Sequence, residues 1–270
     1  MVYRNMNINL IVFNEILGNE VCSRFDDNIK KEIILVIKGW IYVHNNISCV
    51  KKKIIGKLKR PYIKNKILSS EIVKIVPGAG KTRYEGWISI EVQELDITST
   101  YDLNYYFANK KIDNILLEHV IEHIDYKNFI HFLVTIKPYL KKGAIIRIAV
   151  PDRNHPSEYV RLLTGVNGLE PGADDHKYFY GIDDFENIAC QTDYKLDKVE
   201  YFDNNGIFHK NNFDLSDGYI SRCSKNYKGL FTENNEEYRK MIESVPENLR
   251  EQFYKLNISY TSLLADFINE

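Results

Sequence analysis

Between residues 71 and 150 the chain alternates short, almost uninterrupted apolar runs with polar crossovers, and this alternation restricts the fold more than any other feature. The runs are Ile72–Val76, Trp87–Val92, which alternates apolar and polar residues, Ile112–Leu117 and Ala144–Val150, the last interrupted only by Arg147. A strand with one wet face alternates apolar and polar residues, whereas near-continuous apolar runs need cover on both faces. Strands of that kind separated by crossovers predict a parallel α/β sheet, doubly wound and Rossmann-like. Between the third and fourth runs, Phe129, Leu133, Ile136 and Leu140 recur at helical spacing. Lys141-Lys142-Gly143 is expected to close that helix, with cations at the negative end of the dipole and a glycine at its stop. A helix over Asp184–Gln191, a strand over Lys195–Phe202 and an apolar segment over Tyr260–Ile268 are expected to complete the sheet.

The length of 270 residues accommodates one α/β domain, expected over 71–270, and an extension over 1–70. Hydrophobic residues at 44% and charged residues at 27% exclude wholesale disorder. The net charge of −1 argues against a dedicated nucleic-acid binder, but it averages an asymmetry. From Gly39 to Ser70 there are eight Lys or Arg and no acid, which against −1 overall leaves −9 for the remainder. Within that basic run, Ile54, Ile55 and Leu58 fall at helical spacing up to Pro61, predicting a basic amphipathic turn or two. Such a face is either simply solvated or, through residues 51–66, meets an anionic membrane surface or an anionic polymer. Earlier, Asp26-Asp27 is placed to cap a helix through Ile29, Ile33, Ile34 and Ile37, so the extension is expected to be partly helical.

Cys22, Cys49, Cys190 and Cys223 are scattered without C-x-x-C spacing, which argues against a zinc or disulfide framework and for a reducing compartment. The apolar stretch Ile33–Val43 contains Lys38 and is too short to span a bilayer, and the N-terminus has no secretory pattern. A cytoplasmic protein, at most peripheral to a membrane, is expected.

Three constellations carry chemistry. Pro77-Gly78-Ala79-Gly80 follows the first strand, where glycines let the backbone turn sharply and approach a ligand. Glu91 ends the second strand, placed to accept both hydroxyls of a ribose, and Asp96 follows as a candidate for an adenine amino group. Gly80-Lys81-Thr82 only mimics a phosphate-binding loop, because Ile75 stands where that motif requires glycine. The second constellation, Glu118-His119-Val120-Ile121-Glu122-His123, follows the third strand. His119, Glu122 and His123 would share one helix face, as cofactor contacts, as a general base, as ligands of a divalent metal, or as braces of the strand–helix junction. The third lies beyond the fourth strand, in Pro151-Asp152-Arg153-Asn154-His155 and Asp174-Asp175-His176. There Asp175 is expected to orient His176 for proton abstraction.

In this order, the motifs resemble class I S-adenosylmethionine-dependent methyltransferases. Val73–Lys81 looks like their first motif, and Gly86-Trp87-Ile-Ser-Ile-Glu91 is similar to a segment of a compact bacterial-type branch. His119-Val-Ile-Glu-His123, Leu140-Lys-Lys-Gly143 and Ile148-Ala-Val-Pro-Asp152 match further elements of that branch. Asp175-His176-Lys177, Glu200-Tyr-Phe-Asp203, Phe208-His209, Asp217-Gly218 and Tyr260-Thr-Ser-Leu-Leu264 extend the likeness to roughly residues 71–268. Pro77 and Val76 depart from the pattern around the first glycine, and Glu91 stands where aspartate is commoner.

The resemblance implies S-adenosylmethionine as cofactor, held by Pro77, Gly78, Ala79, Gly80, Glu91, Asp96 and Glu118. It also implies O-methylation of a sugar hydroxyl in polysaccharide or glycoconjugate synthesis. His176 with Asp175 is the expected base, with His155, His119 and His209 in reserve. A divalent metal remains open. The competing readings are a catalytically silent methyltransferase-like module in glycan assembly and, third, an RNA methyltransferase using the basic run as its electrostatic footprint.

Overall fold

The structure, a computed structural model, describes residues 51, 53–80, 82–220, 236–256 and 262–270. The expected helix through Ile29–Ile37 and the first residues of the Tyr260–Ile268 segment lie outside them. The chain forms two compact units, Met1–Leu58 and Lys59–Glu270. Of the first, residues 51 and 53–58 are described and are helical. In the second, residues 59–69 are helical, so Pro61 does not end a helix as the spacing suggested. A proline inside a helix costs about 3 kcal/mol, and tertiary contacts offset it here. Ile63 and Ile67 are buried in the main core, and Arg60 pairs with Asp102 at 2.6 Å.

Among the described residues, seven strands form one sheet: β1 (Lys74–Pro77), β2 (Ile88–Ile90), β3 (Ile112–Glu118), β4 (Leu140–Pro151), β5 (Lys195–Phe202), β6 (Phe208–Lys210) and β7 (Ser262–Ile268). Their order is β2-β1-β3-β4-β7-β5-β6. The first four are mutually parallel, β7 runs antiparallel to both β4 and β5, and β6 is antiparallel to β5. The wholly parallel sheet expected from the apolar runs is therefore mixed. This is the Rossmann-like α/β arrangement of class I methyltransferases, with one reversed strand inserted next to the parallel half.

Beyond the helix that ends at residue 69, the α-helices among the described residues are α1 (Thr100–Phe107), α2 (Tyr126–Ile136), α3 (Glu158–Thr164), α4 (Ile182–Thr192), α5 (Glu236–Ser244) and α6 (Glu247–Leu256). Strand alternation divides the core by face. Ile75, Ile115, Ile146, Leu263 and Phe267 pack with residues of α1, α2 and α4, while Val76, Leu116, Ala149 and Leu264 pack with Ile220 in a separate cluster. Phe202, Phe208, Val160 of α3 and Phe253 of α6 make a third cluster.

Helix α2 buries Phe129, Leu133 and Ile136 as its stripe predicts, but it stops at Ile136. A 3-10 turn, Lys137–Tyr139, follows, and Leu140 to Gly143 belong to β4. The Lys141-Lys142-Gly143 stop signal is thus a strand irregularity. Gly143 takes φ 77° where the β3–β4 register shifts between Ile112 and Asn114, and its N–H donates to Asn269 O at 2.6 Å. Among the described residues, no helix is long and apolar enough to cross a membrane.

The one polar residue of the fourth apolar run, Arg147, is 1% exposed. Its Nε and Nη2 donate to the two carboxylate oxygens of Asp266 on β7 at 2.8 and 2.7 Å, and Nη1 donates to Asp214 O and Gly218 O at 2.6 and 2.7 Å. A buried guanidinium with these acceptors is satisfied, whereas loss of one partner strands a charge in the interior. Asp266→Ala is expected to lower unfolding free energy by about 3–5 kcal/mol, and Arg147→Met combined with Asp266→Leu to recover most of it. Urea denaturation followed by circular dichroism measures both.

Candidate functional site

The sheet order reverses between β1 and β3, and at such a switch point the loops leaving the carboxyl ends part to form a crevice. The loop after β1 begins with Gly78 at φ 65°, a backbone region that L side chains rarely adopt. A Cβ there would meet Val120 Cγ2 at 3.0 Å, so the loops after β1 and β3 approach closely only because residue 78 is glycine. Gly80 also has positive φ, 53°, with open space around its Cβ position.

A cavity of about 590 Å³ opens there, lined by Pro77, Gly78, Leu95, Asp96, Ile97 and His119 among others. A second, of about 330 Å³, is lined by Glu118, His119, His123, Thr164, Glu170 and His176 among others. His119 and His123 stand in the walls of both.

The far wall of the larger cavity is braced from a distance in sequence. Glu94 accepts from Glu91 N at 2.9 Å and pairs with Lys59 at 3.3 Å. Asp102, held by Arg60, accepts from Asp96 N at 3.0 Å through its other oxygen. The Asp96 carboxylate accepts from Thr98 N and Oγ1 at 2.9 and 2.7 Å through Oδ1. Arg60, Glu94 and Asp102 are positioning residues that the sequence reading missed. The only sequence signal was the Ser99-x-x-Asp102 helix start of α1.

The expected site residues divide. Pro77, Gly78 and Asp96 line the larger cavity. Ala79 instead turns inward, packing in the cluster of Val76 and Leu116 and donating its N–H to Ile90 O at 3.3 Å. Glu91 follows the end of β2, but neither cavity includes it in its wall. Glu118 belongs to the smaller cavity and not to the larger one.

The expected helix face at 119–123 is replaced by a tighter turn. His119 follows β3 in the left-handed region at φ 53°, and a 3-10 turn spans Ile121–His123. His119 and Glu122 still meet, Nδ1 to Oε1 at 3.0 Å. Glu122 is 1% exposed and its Oε2 has no hydrogen-bond partner.

The expected Asp175–His176 dyad does not form. Asp175 accepts from His123 Nδ1 at 2.8 Å, and His176 Nδ1 donates to Thr164 O at 2.8 Å. Asp175 lies in the turn closed by His176 N donating to Ala173 O at 3.3 Å, and its carboxylate reaches the ring that packs against its neighbour's imidazole. The rings of His123 and His176 are 4.7 Å apart, nearly perpendicular. The loop is fixed by Lys177 N and Tyr178 N donating to Glu122 O at 2.7 and 3.3 Å. One ligand atom each from Glu122, His123 and His176 lie within 4.8 Å of one another.

His155 and His209 are elsewhere. His155 is 1% exposed, edge-on to Phe202 at 4.8 Å, and burial holds its imidazole down to about 3. Its Nδ1 accepts from Ser157 N at 3.1 Å, so it is a packed core imidazole and not a base. His209 sits on β6, the outermost strand of the opposite edge, paired with Asp203 at 2.9 Å and stacked on Tyr201.

No family model matches the sequence, and no curated protein matches it. Solved structures do resemble it. A SAM dependent methyltransferase from Archaeoglobus fulgidus is 14% identical, with 80% of this chain and 92% of that chain covered and a TM-score of 0.36. The plantazolicin methyltransferase BpumL, solved with a pentazolic desmethylPZN analog and SAH, is 13% identical over 98% and 97%, with a TM-score of 0.36. An O-methyltransferase family protein from Burkholderia thailandensis is 9% identical with a TM-score of 0.35, and this chain spans about half its length, 53%. The strand order, and not these likenesses, identifies the fold.

Asp152, the acid of the Val-Pro-Asp element, is a brace behind the site. Its oxygens accept from Asn154 N and Phe202 N, both at 2.8 Å, tying the end of β4 to β5. Burial pushes its carboxyl up to about 7, with the two N–H donors pulling the other way. A folded-state value above the unfolded one, about 3.9, means that its contribution is complete below about pH 4 and is lost as pH rises through about 7. Unfolding free energy measured in urea at pH 5 and pH 8 is expected to fall by up to about 3 kcal/mol less in Asp152→Asn than in the native chain.

Proposed function

We propose that the chain is an S-adenosylmethionine-dependent O-methyltransferase, with the larger cavity taking the cofactor and the smaller one the hydroxyl acceptor. The observation that carries this reading is the pair of cavities at the switch point sharing His119 and His123 as a common wall. The residues present fit the cofactor. Gly78 leaves the loop without a side chain at its closest approach to Val120, Leu95 and Ile97 offer apolar surface for a purine, and Asp96 offers a carboxylate for its amino group. The volume of about 590 Å³ lies within the range of sites for ligands of this size.

When bound, S-adenosylmethionine supplies an electrophilic methyl group on a positively charged sulfur. The protein's part is then mainly alignment and proton removal. His176 remains the proposed proton acceptor, oriented by Thr164 O and not by Asp175. With Nδ1–H committed to that carbonyl, Nε2 carries the lone pair. His123, held the same way by Asp175, is the second imidazole of the wall. Glu118, Glu170 and the imidazoles make the smaller cavity polar, which suits an acceptor bearing several hydroxyls and supports a sugar as substrate. A role in glycan synthesis rests on the sequence resemblance.

A second reading, a silent methyltransferase-like module, is favoured by Val76. It is buried in an apolar cluster where the family pattern carries an acid or amide, and the neighbouring Pro77 has no N–H to offer.

Calorimetric titration of the full chain with S-adenosylhomocysteine and S-adenosylmethionine tests both. Binding is expected, weakened about tenfold or more in Asp96→Ala, the cost of one hydrogen bond to a charged group. No heat and no thermal shift at millimolar cofactor would remove the enzyme reading. His176→Ala is expected to retain cofactor affinity and lose about 10²–10⁴-fold in turnover, and unchanged turnover would move the base elsewhere.

A further inference from the structure

We infer that Glu122, His123 and His176 form a binding site for a divalent transition-metal ion in the wall of the acceptor cavity. Its role in catalysis rests on the methyl-transfer reading above, whereas the site itself does not.

Three features of the geometry carry the inference. The first is convergence: one carboxylate oxygen and two imidazole nitrogens lie within 4.8 Å of one another, near enough to close on a single ion. The second is the state of the two imidazoles. His123 Nδ1 is engaged by the Asp175 carboxylate and His176 Nδ1 by the Thr164 carbonyl, each at 2.8 Å. A carbonyl only accepts, so His176 is the Nδ1–H tautomer and its Nε2 is left with a lone pair. Metal-bound histidines are held in this way, with the second nitrogen donating to a carboxylate or a backbone carbonyl. The third is the carboxylate. Glu122 is 1% exposed, His119 holds its Oε1, and Oε2 has no partner. A buried carboxylate oxygen without a donor costs free energy, and a cation beside it removes that cost.

The site is also preorganised. Lys177 N and Tyr178 N donate to Glu122 O, so the segment carrying His176 is hydrogen-bonded to the turn carrying the other two side chains. Two imidazoles with one carboxylate select zinc, manganese, iron or cobalt over magnesium and calcium, which take mostly oxygen ligands. Three protein ligands leave coordination positions open. His123 and His176 both line the cavity of about 330 Å³ assigned to the acceptor. A hydroxyl bound at an open position would be acidified by the ion and release its proton to solvent water, and His176 would then act as a ligand and not as the proton acceptor.

The test uses the full chain stripped with EDTA, dialysed, and titrated separately with Zn²⁺ and Co²⁺. Metal content is read by elemental mass spectrometry and cobalt coordination by visible absorption. One bound equivalent is expected, with affinity lowered about 100-fold or more in His176→Ala and in Glu122→Gln. Asp175→Asn changes a side chain that is 71% exposed, so the fold tolerates it. It touches the ion only through His123 and is expected to cost about 10–100-fold. The cobalt spectrum should persist in Asp175→Asn and disappear in His176→Ala. Absence of a bound equivalent overturns the inference, as does binding by His176→Ala equal to the native chain. Either result would leave Glu122 Oε2 and the equally unpartnered Tyr180 hydroxyl to a buried water. Parallel titration of the metal-free chain with S-adenosylhomocysteine separates the two readings. Cofactor binding without metal binding overturns this site alone, and metal binding without cofactor binding overturns the methyl-transfer reading alone.

Discussion

The buried pair of Arg147 and Asp266 is the interaction on which the remainder of the second unit depends. It joins β4, the last of the four adjacent parallel strands, to the reversed strand β7, which lies between β4 and β5. Two charges in the interior are tolerable only when their geometry satisfies both, so the pair is selective for one register as well as attractive. In that register Arg147 stands opposite Asp266 and Pro151 opposite Ser262. The same guanidinium holds the carbonyls of Asp214 and Gly218 against the sheet face. The register also reaches the site, because Ser262 at the start of β7 lies 3.4 Å from His119 Nε2.

Around the two cavities, side chains are positioned by partners from distant parts of the chain. The wall carrying Asp96 is held through Asp102 by Arg60, which comes from a helix ahead of the sheet. The imidazole wall is held by Thr164 O, Asp175 and the Glu122 backbone. In both walls a cavity-lining residue has one polar side-chain atom held by a support: Asp96 Oδ1, His123 Nδ1 and His176 Nδ1. The supports are fixed hydrogen bonds to backbone or carboxylate, and they set tautomer and direction as well as place.

Much of the fold was legible in the sequence. The strand over Lys195–Phe202 has its expected limits, and α4 extends its prediction by two residues at the N-terminus and one at the C-terminus. The glycine turn after β1 was legible because positive φ has few other solutions. The misreadings have local causes. Lys141-Lys142-Gly143 has the composition of a helix stop, yet the same glycine conformation serves a strand irregularity equally well. Pro61 looked like a terminator because the burial of Ile63 and Ile67 cannot be read from spacing alone. The pairing of Asp175 with His176 assumed that neighbours in sequence are partners in space, whereas the turn sends Asp175 to His123 and His176 to Thr164 O.

The sequence by itself determined which chemical groups stand at the carboxyl ends of the strands: glycines after β1, acids after β2, and a histidine–glutamate–histidine set after β3. Strand periodicity and glycine stereochemistry are local properties, written in neighbouring residues. Which histidines share a wall, and which one is buried beside Phe202, was decided only by the tertiary structure. Those outcomes turn on contacts such as His176 with Thr164 and Arg147 with Asp266, 12 and 119 residues apart. Burial and hydrogen bonding across such separations depend on how the sheet closes, and no local pattern encodes them.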